Sequence, residues 1–321
     1  MKIVDEKAVE TLTRLENGSD TGIHVRELEV AARDIVTTLV DLRIERGACV
    51  ALVGHNGSGK TTIIEAILGI RTPKKLSGSM LGIEFSQWRS KPALRRRLGV
   101  LLQNTALPGD MYVFDVVTLH RELYGRAAPW IVDALGIAAL DKKRYKSLSR
   151  GERQRVDLML ALAHEPDIAF LDEPYTGLDR QFAEASGEVI ARLSGTSTIV
   201  MACHSAEELA LSDRVAWMQR GKLRMWAGAD YLRQTLLGDF RLAVSFHDEE
   251  AAVRFRERVM DEVAPQFTKS ENPLQLSVFG SEALVNLARG LVDDSHVDGL
   301  EFGRTSYNDL LYRCALGDID V

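Results

Sequence analysis

Residues 49–61 read CVALVGHNGSGKT, and this stretch decides the fold. Its first five residues are all apolar, which is the pattern of a strand buried on both faces of a sheet. The next eight fit the phosphate-binding pattern G-x-x-x-x-G-K-[S/T] at every fixed position. Helical periodicity from Gly59 to about Leu68 completes the strand–loop–helix context that this pattern requires.

The residue types in this loop suit a phosphate chemically. Glycines permit backbone conformations that turn successive N–H groups toward one anion, and the following helix N-terminus adds positive potential. Lys60 would bring a mobile charge to the β- and γ-phosphates, and Thr61 a hydroxyl to Mg²⁺. The predicted nucleotide-binding residues are Gly54, Asn56, Gly57, Ser58, Gly59, Lys60, Thr61 and Thr62. The alternative is a glycine-rich turn that binds no ligand.

A second motif, IAFLDE at residues 168–173, combines a hydrophobic run with two acids. A buried strand ending here would bring Asp172 to the same sheet edge as the loop, where it can hold Mg²⁺ through water. Adjacent residues of a strand point to opposite sides, so Glu173 could face an attacking water as general base. The alternative, two solvated acids at a strand end, is weakened by the phosphate loop upstream.

Composition restricts the class of protein. The 321 residues are 45% apolar, and 40 Lys+Arg against 46 Asp+Glu give a net charge of −6, which argues against nucleic acid as a partner. The three cysteines, at positions 49, 203 and 314, form neither a disulfide framework nor a zinc pattern, which favours a reducing cytoplasm. No apolar run approaches the ~18 residues of a spanning helix, so a membrane part would come from another chain.

Strands alternating with helices predict an α/β fold with a parallel sheet. Strands are expected at Val36–Ile44, Thr198–Ala202 and Arg214–Met218, and residues 104–150 are rich in helix formers. From about residue 240 the periodicity reads β-α-β-α-β-α, which predicts a small split α/β domain, with ferredoxin-like topology as one arrangement. We find no catalytic constellation in that last segment.

Further motifs carry a resemblance to the ATP-binding-cassette (ABC) ATPases over residues 23–228. Leu148–Glu152 (LSRGE) resembles the signature motif of that family. Gln103 looks like the Q-loop glutamine, Gly177–Asp179 like the D-loop, and His204 like the switch histidine.

The resemblance implies a P-loop NTPase (ABC ATPase) core with a mainly helical insert, plus a small C-terminal α+β domain. With the polar N-terminal residues and the periodicity after residue 238, the expected domains are an N-terminal extension (1–20), an ABC ATPase domain (21–235, with its helical subdomain at about 104–160) and an accessory domain (239–321). A short helix is expected around Glu6–Leu15.

The same resemblance implies an ATPase that uses ATP and Mg²⁺. The catalytic residues would be Glu173, His204 and Gln103, and the Mg²⁺ ligands Thr61, Gln103 and Asp172. Ser149, Arg150, Gly151 and Glu152 would contact the ATP of an opposite subunit, and Asp179 would link the two sites. Local alternatives are a surface glutamine at position 103, a capping histidine at 204, and an ordinary helix cap at Ser149.

The sequence departs from the family pattern at three places: the signature motif, the segment near Ala31 and Ala32, and Cys203 before the switch-like histidine, which is most simply a small buried thiol. Arg150 replaces the usual glycine of the signature motif, where it could add charge near the ATP of the partner or obstruct it. No aromatic residue occurs near Ala31 and Ala32, where the family usually stacks one on adenine. Because base stacking contributes roughly 1–3 kcal/mol in nucleic-acid systems, nucleotide affinity or base selectivity is expected to be weaker.

The segments Arg97–Gly125 and Thr305–Gly317 resemble those of drug, lantibiotic and sodium exporter ATPases. They imply a nucleotide-binding subunit on the cytoplasmic face of a membrane. Its expected partners are transmembrane permease subunits and a second ABC ATPase domain, in a homodimer or heterodimer. The alternatives are a soluble ABC ATPase acting on a ribosome or chromosome, and a P-loop enzyme such as a nucleotide kinase.

Overall fold

The computed structural model describes residues 21–32, 35–103, 107–270 and 272–316. The chain divides into two units, Met1–Trp226 and Ala227–Val321. The expected N-terminal extension, residues 1–20 with its short helix, lies outside the described residues. The domain bounds inferred from the sequence stay predictions.

The first unit is built on one large sheet. Its strands are β1 (Thr21–Ala32), β2 (Ile35–Glu45), β3 (Cys49–Val53), β4 (Lys75–Met80), β5 (Ile83–Glu84), β6 (Leu98–Leu101), β7 (Ile168–Asp172), β8 (Thr198–Ala202), β9 (Arg214–Gln219) and β10 (Lys222–Ala227). Among the described residues they follow the order β5-β4-β1-β2-β10-β9-β3-β8-β7-β6. The predicted parallel α/β arrangement is confirmed for β9, β3, β8, β7 and β6, whereas β1, β2, β4 and β5 pair antiparallel.

Helices flank this sheet and form the insert. They are α1 (Lys60–Leu68), α2 (Phe85–Ser90), α3 (Pro92–Arg95), α4 (Val113–Tyr124), α5 (Pro129–Ala134), α6 (Arg150–Leu162), α7 (Arg180–Leu193) and α8 (Ala206–Ala210). Helices α4, α5 and α6, with two short 3₁₀ turns, lie between β6 and β7, which confirms the mainly helical insert. In the described part of the chain, no helix has both the length and the apolar character needed to cross a bilayer.

Burial explains why the central strands lie where they do. Every residue of β3, β7 and β8 is buried, as expected of strands covered on both faces. These three strands are parallel neighbours, so their carboxyl ends meet at one edge of the sheet. The loops that follow β3 and β7 carry the two sequence motifs, and this edge therefore brings them together.

A cluster of three rings, of which His120 and His164 are buried and Tyr124 is half-buried, connects the insert to the sheet. His164, just after α6, stacks on Tyr124 of α4 with ring centroids 4.0 Å apart, and His120 lies 4.6 Å from Tyr124. The Nε2 atom of His164 is hydrogen bonded to the carbonyl oxygen of Leu98 in β6, at 3.0 Å. One imidazole thus joins a helix of the insert to a strand of the core.

The second unit has its own sheet and core. Its elements are α9 (Ala229–Leu237), β11 (Phe240–Phe246), α10 (Glu249–Arg258), β12 (Phe267–Lys269), β13 (Gln275–Gly280), α11 (Glu282–Gly290), β14 (Val297–Arg304) and α12 (Tyr307–Ala315). The sheet order is β12-β13-β11-β14, all antiparallel. A β-α-β-β-α-β unit with this order has ferredoxin-like topology, and α10 and α11 pack their apolar residues on one face of the sheet.

We expect the His164 contact to make stability depend on pH. Burial lowers the pKa of His164 from 6.5 to about 4. The unfolded chain therefore binds a proton below pH 6.5 that the folded chain binds only near pH 4, so stability is full above pH 6.5 and falls as the pH drops through this window. Relative to His164→Gln, the free energy of unfolding should fall by up to about 3 kcal/mol, measured by denaturant titration at several pH values. Identical pH profiles in the two proteins would contradict a buried neutral imidazole.

Candidate functional site

The loop at residues 54–61 has the backbone geometry of an anion cradle. Gly54, Gly57 and Gly59 have φ values of 146°, 81° and 109°, in the region that favours glycine. A Cβ on Gly54 would lie 2.1 Å from the carbonyl oxygen of Met218, and one on Gly59 would lie 2.5 Å from Thr37 Oγ1. Glycine is therefore required at both positions by space as well as by conformation.

Lys60 is held inside the loop. Lys60 is the first residue of α1 and is 6% exposed. Its Nζ atom donates to the carbonyl oxygens of Gly54 at 2.7 Å and His55 at 3.3 Å. Burial lowers the pKa of Lys60, while the charges of Glu173 and Asp172 oppose this. An ammonium group enclosed by carbonyls and open to the cavity beside it suits a multiply charged anion.

Thr61 and Asp172 connect the loop to the end of β7. The hydroxyl of Thr61 donates to Asp172 Oδ2 at 2.8 Å. Asp172 is 3% exposed, and burial raises its pKa, an effect that the hydrogen bond from Thr61 partly offsets. A hydroxyl and a carboxylate are hard oxygen donors of the kind Mg²⁺ prefers, and Gln103, whose side chain carries an amide oxygen, lines one cavity with Thr61. The residues therefore fit a phosphate-bound magnesium ion.

Glu173 makes contacts different from those of Thr61 and Asp172. Its φ of +53° is in the left-handed region, which is unusual for a residue other than glycine and costs about 1–3 kcal/mol. One carboxylate oxygen lies 3.3 Å from His204 Nε2, and the other accepts a hydrogen bond from Thr176 Oγ1 at 3.0 Å. Burial, then the charge of Lys60, lowers the pKa of His204. The strained turn directs Glu173 toward His204 while Asp172 stays with Thr61.

One cavity of about 300 Å³ collects most of the residues predicted for the nucleotide. Its lining is Asn56, Gly57, Gly59, Lys60, Thr61, Thr62, Gln103, Glu173 and His204. Gly54 and Asp172 are outside this lining but accept hydrogen bonds from Lys60 and Thr61, and Ser58 is buried. Four separate segments of the sequence thus meet at the carboxyl edge of the sheet.

The signature-like segment is absent from this cavity lining. Ser149 caps α6 and shares a capping box with Glu152, as the capping alternative proposed, and Glu152 also pairs with Lys143 at 2.6 Å. The side chain of Arg150 lies against Gly177: a Cβ on that glycine would be 2.9 Å from it. Ser149 and Arg150 are exposed at the helix N-terminus.

Asp179 performs a local role in the structure. Its carboxylate caps α7 by accepting a hydrogen bond from the backbone N–H of Phe182 at 3.0 Å. Like the signature-like residues, Asp179 is not part of the cavity lining. The predicted site residues therefore fall into two groups, one around the cavity and one at the starts of α6 and α7.

Two residues at this edge were missed by the sequence interpretation. Gln154 donates from Nε2 to the carbonyl oxygens of Glu173 at 3.1 Å and Pro174 at 2.9 Å. Glu208 accepts hydrogen bonds from the backbone N–H groups of Tyr175 and His204. Gln154 gave no local signal, whereas the Ser205-x-x-Glu208 spacing is that of a capping box and could have been recognised.

Comparisons with known proteins agree on one family. A family model described as "ABC transporter" matches residues 38–176. The aliphatic sulfonates import ATP-binding protein SsuB 2 of Xanthomonas axonopodis is 33% identical over 214 residues, 64% of this chain and 72% of that protein. The sulfate/thiosulfate import ATP-binding protein CysA of Xylella fastidiosa is 33% identical over 65% of this chain and 64% of its own length.

Export and solved-structure relatives complete the comparison. The Nod factor export ATP-binding protein I of Cupriavidus pinatubonensis is 31% identical over 54% of this chain and 55% of that protein. This chain therefore spans less than two thirds of the CysA and Nod factor relatives. A solved ATP-binding subunit of an ABC transporter superposes with a TM-score of 0.59 at 22% identity, over 66% of this chain and 92% of that one. A dimeric bacterial ABC transporter cassette superposes with a TM-score of 0.55 at 20% identity, over 64% of this chain and 98% of that one. At such identities the structures support the fold alone.

We expect Lys60→Ala to weaken ATP binding at least about 100-fold, or ~2.8 kcal/mol, because the only lysine lining the described cavity would be lost. The measurement is equilibrium titration with ATP and Mg²⁺. Lys74→Ala is the matched control, since Lys74 immediately precedes β4 and its side chain is 76% exposed. Unchanged ATP affinity in a folded Lys60→Ala protein would contradict the assignment of this cavity.

Proposed function

Because the chain belongs to the ABC transporter family of ATP-binding proteins, we propose that it hydrolyses ATP as the nucleotide-binding subunit of a transporter. The observation that supports this best is the cavity that unites Lys60, Thr61, Gln103, Glu173 and His204. A nucleotide-binding module without turnover would not need an acid and a histidine in contact beside the phosphate loop.

The proposed chemistry divides between holding and attacking. The loop N–H groups and Lys60 hold the phosphates of ATP, and Thr61 and Asp172 orient the metal site through their hydrogen bond. Mg²⁺, when bound, neutralises charge on the phosphate oxygens. Glu173 accepts a proton from the attacking water as general base, and His204 keeps the Glu173 carboxylate in position.

We propose that a second cassette completes the site. Ser149 and Arg150 are exposed at the N-terminus of α6, outside the cavity of their own chain. An exposed helix N-terminus suits the γ-phosphate of a nucleotide bound by another subunit. Arg150, resting on Gly177, would add positive charge at the same interface, and Asp179 would lie beside it.

A second cavity supports a membrane partner. It measures about 380 Å³ and is lined mainly by apolar residues of the core and of α4, among them Trp88, Leu119 and Leu123. Val100 of β6 lines this cavity, and Gln103 in the loop after β6 lines the nucleotide cavity. We propose that a transmembrane permease subunit docks here at the cytoplasmic face, and that Gln103 relays the nucleotide state to it.

For the direction of transport, we propose export. Relatives named for import and for export are similarly identical to this chain, so the preference for an exporter rests on the segments Arg97–Gly125 and Thr305–Gly317. The competing function is a soluble ABC ATPase with a non-transport partner. Co-purification with a polytopic membrane protein would support the transporter, and co-purification with ribosomes or chromatin would support the alternative.

We propose regulation or dimerisation, rather than chemistry, for residues 239–321.

We predict that Glu173→Gln lowers ATP turnover at least about 100-fold while ATP affinity is kept, because a neutral amide cannot accept the proton. Phosphate release and equilibrium ATP binding would be measured on the same preparation. Glu184→Gln is the matched control, since Glu184 is an exposed acid on α7 paired only with neighbouring Arg180 in the described structure. Wild-type turnover in Glu173→Gln would rule out Glu173 as the base.

A further inference from the structure

Glu208 lies between the two loops that carry Glu173 and His204. Its carboxylate accepts hydrogen bonds from the N–H groups of His204 at 2.7 Å and Ser205 at 3.1 Å through Oε2. The other oxygen, Oε1, accepts from the N–H of Tyr175 at 3.3 Å. His204 and Ser205 follow β8, whereas Tyr175 belongs to the loop after β7. One carboxylate therefore joins the ends of two neighbouring strands.

Helix capping explains only part of this arrangement. Ser205 and Glu208 form a capping box at the start of α8. Of the three hydrogen bonds that the Glu208 carboxylate accepts, the box requires only the one from Ser205 N–H. The Ser149–Glu152 box of α6 does the same with its acid in a more exposed position. Glu208 is instead 2% exposed, and burial raises its pKa against the opposing effect of the backbone N–H donors.

A buried carboxylate is unfavourable unless its oxygens are satisfied. In the described structure all three hydrogen bonds that Glu208 accepts come from backbone N–H groups of the two loops. Truncation would leave those N–H groups without acceptors inside the protein, so the loops would have to rearrange. The geometry of both loops thus depends on this one side chain.

The loop after β7 controls the direction of Glu173. Glu173 has a left-handed φ, and its carbonyl oxygen accepts hydrogen bonds from Gln154 and from the N–H of Thr176. The N–H of Tyr175, within that same turn, is the group that Glu208 holds. On the other side Glu208 holds the backbone of His204, whose ring lies 3.3 Å from Glu173.

We infer that Glu208 is a positioning residue for hydrolysis, which fixes the loop of the general base and the loop of the histidine relative to each other. This inference rests on the proposed function, since it assigns to Glu208 a role in the same reaction. Glu208 does not line the cavity and would not touch the nucleotide. It acts through the backbones that carry Glu173 and His204.

The test is Glu208→Gln in the full chain. Glutamine has nearly the same shape, but it has one acceptor oxygen, and its NH₂ group would face the N–H groups of one loop. Because small displacements of reacting groups slow chemistry strongly, kcat should fall about 10- to 100-fold. ATP affinity and KM should stay within about 2-fold, since the phosphate loop is untouched. Glu208→Asp keeps the charge but is too short to reach both loops, so its kcat should lie between those of the wild type and Glu208→Gln.

Glu207→Gln is the matched control. Glu207 is the preceding residue of α8 and is exposed, so its kcat should equal that of the wild type. A double-mutant cycle with His204→Ala provides a readout that loss of stability alone would not produce. If Glu208 acts through both His204 and Glu173, adding Glu208→Gln to His204→Ala should lower kcat by a smaller factor than adding it to the wild type, because only the route through Glu173 remains. Melting temperature and ATP affinity show that each variant is folded.

The outcomes separate this inference from the proposed function. Absence of turnover in the wild type, or full turnover in Glu173→Gln, would refute both. If Glu173→Gln is inactive, any one of three results overturns the inference alone. The first is wild-type kcat in Glu208→Gln, and the second is a loss of ATP affinity in that variant as large as its loss of kcat. The third is that the effects of Glu208→Gln and His204→Ala on kcat are fully multiplicative. Should Glu208→Gln fail to fold, the same criteria apply to Glu208→Asp.

Discussion

The hydrogen bond from Thr61 Oγ1 to Asp172 Oδ2 is the constraint on which the rest of the site depends. It joins the first turn of α1 to the end of β7, two strands away from β3 in the sheet. It can form only because β3, β8 and β7 run parallel, so that their carboxyl ends share one edge. The buried central strands thus determine where a hydroxyl, a carboxylate and an ammonium group meet.

The site retains several locally unfavourable features. Lys60 and Asp172 are buried charges, Glu173 has a left-handed backbone, and Glu208 is a buried acid held by backbone N–H groups. Such features persist only where the surrounding structure determines them strongly, and they cluster where chemistry takes place. Here the support comes from strands in which every residue is buried. The ATPase proposal explains these features together, because phosphate binding, metal binding and water activation each require one of them.

Sequence periodicity was sufficient for the features that depend on local pattern. The run CVALV and the loop after it predicted β3, the phosphate loop and α1, because a continuous apolar run indicates a buried strand and the glycine spacing indicates the loop. Two elements of the second unit were missed: β12 is too short to show alternation, and α9 has its buried leucines at helical spacing but was not recognised. The contacts of Glu208 with Tyr175 and of Arg150 with Gly177 could not be predicted, because they join segments far apart in the chain.

The most direct test is a crystal structure of the Glu173→Gln chain grown with ATP and Mg²⁺. The account predicts phosphates enclosed by residues 54–61, with the metal ion on the Thr61 hydroxyl. It further predicts Ser149 of a second cassette against the γ-phosphate of the same nucleotide. A nucleotide bound elsewhere on the chain, with Lys60 still donating to the loop carbonyls, would contradict it.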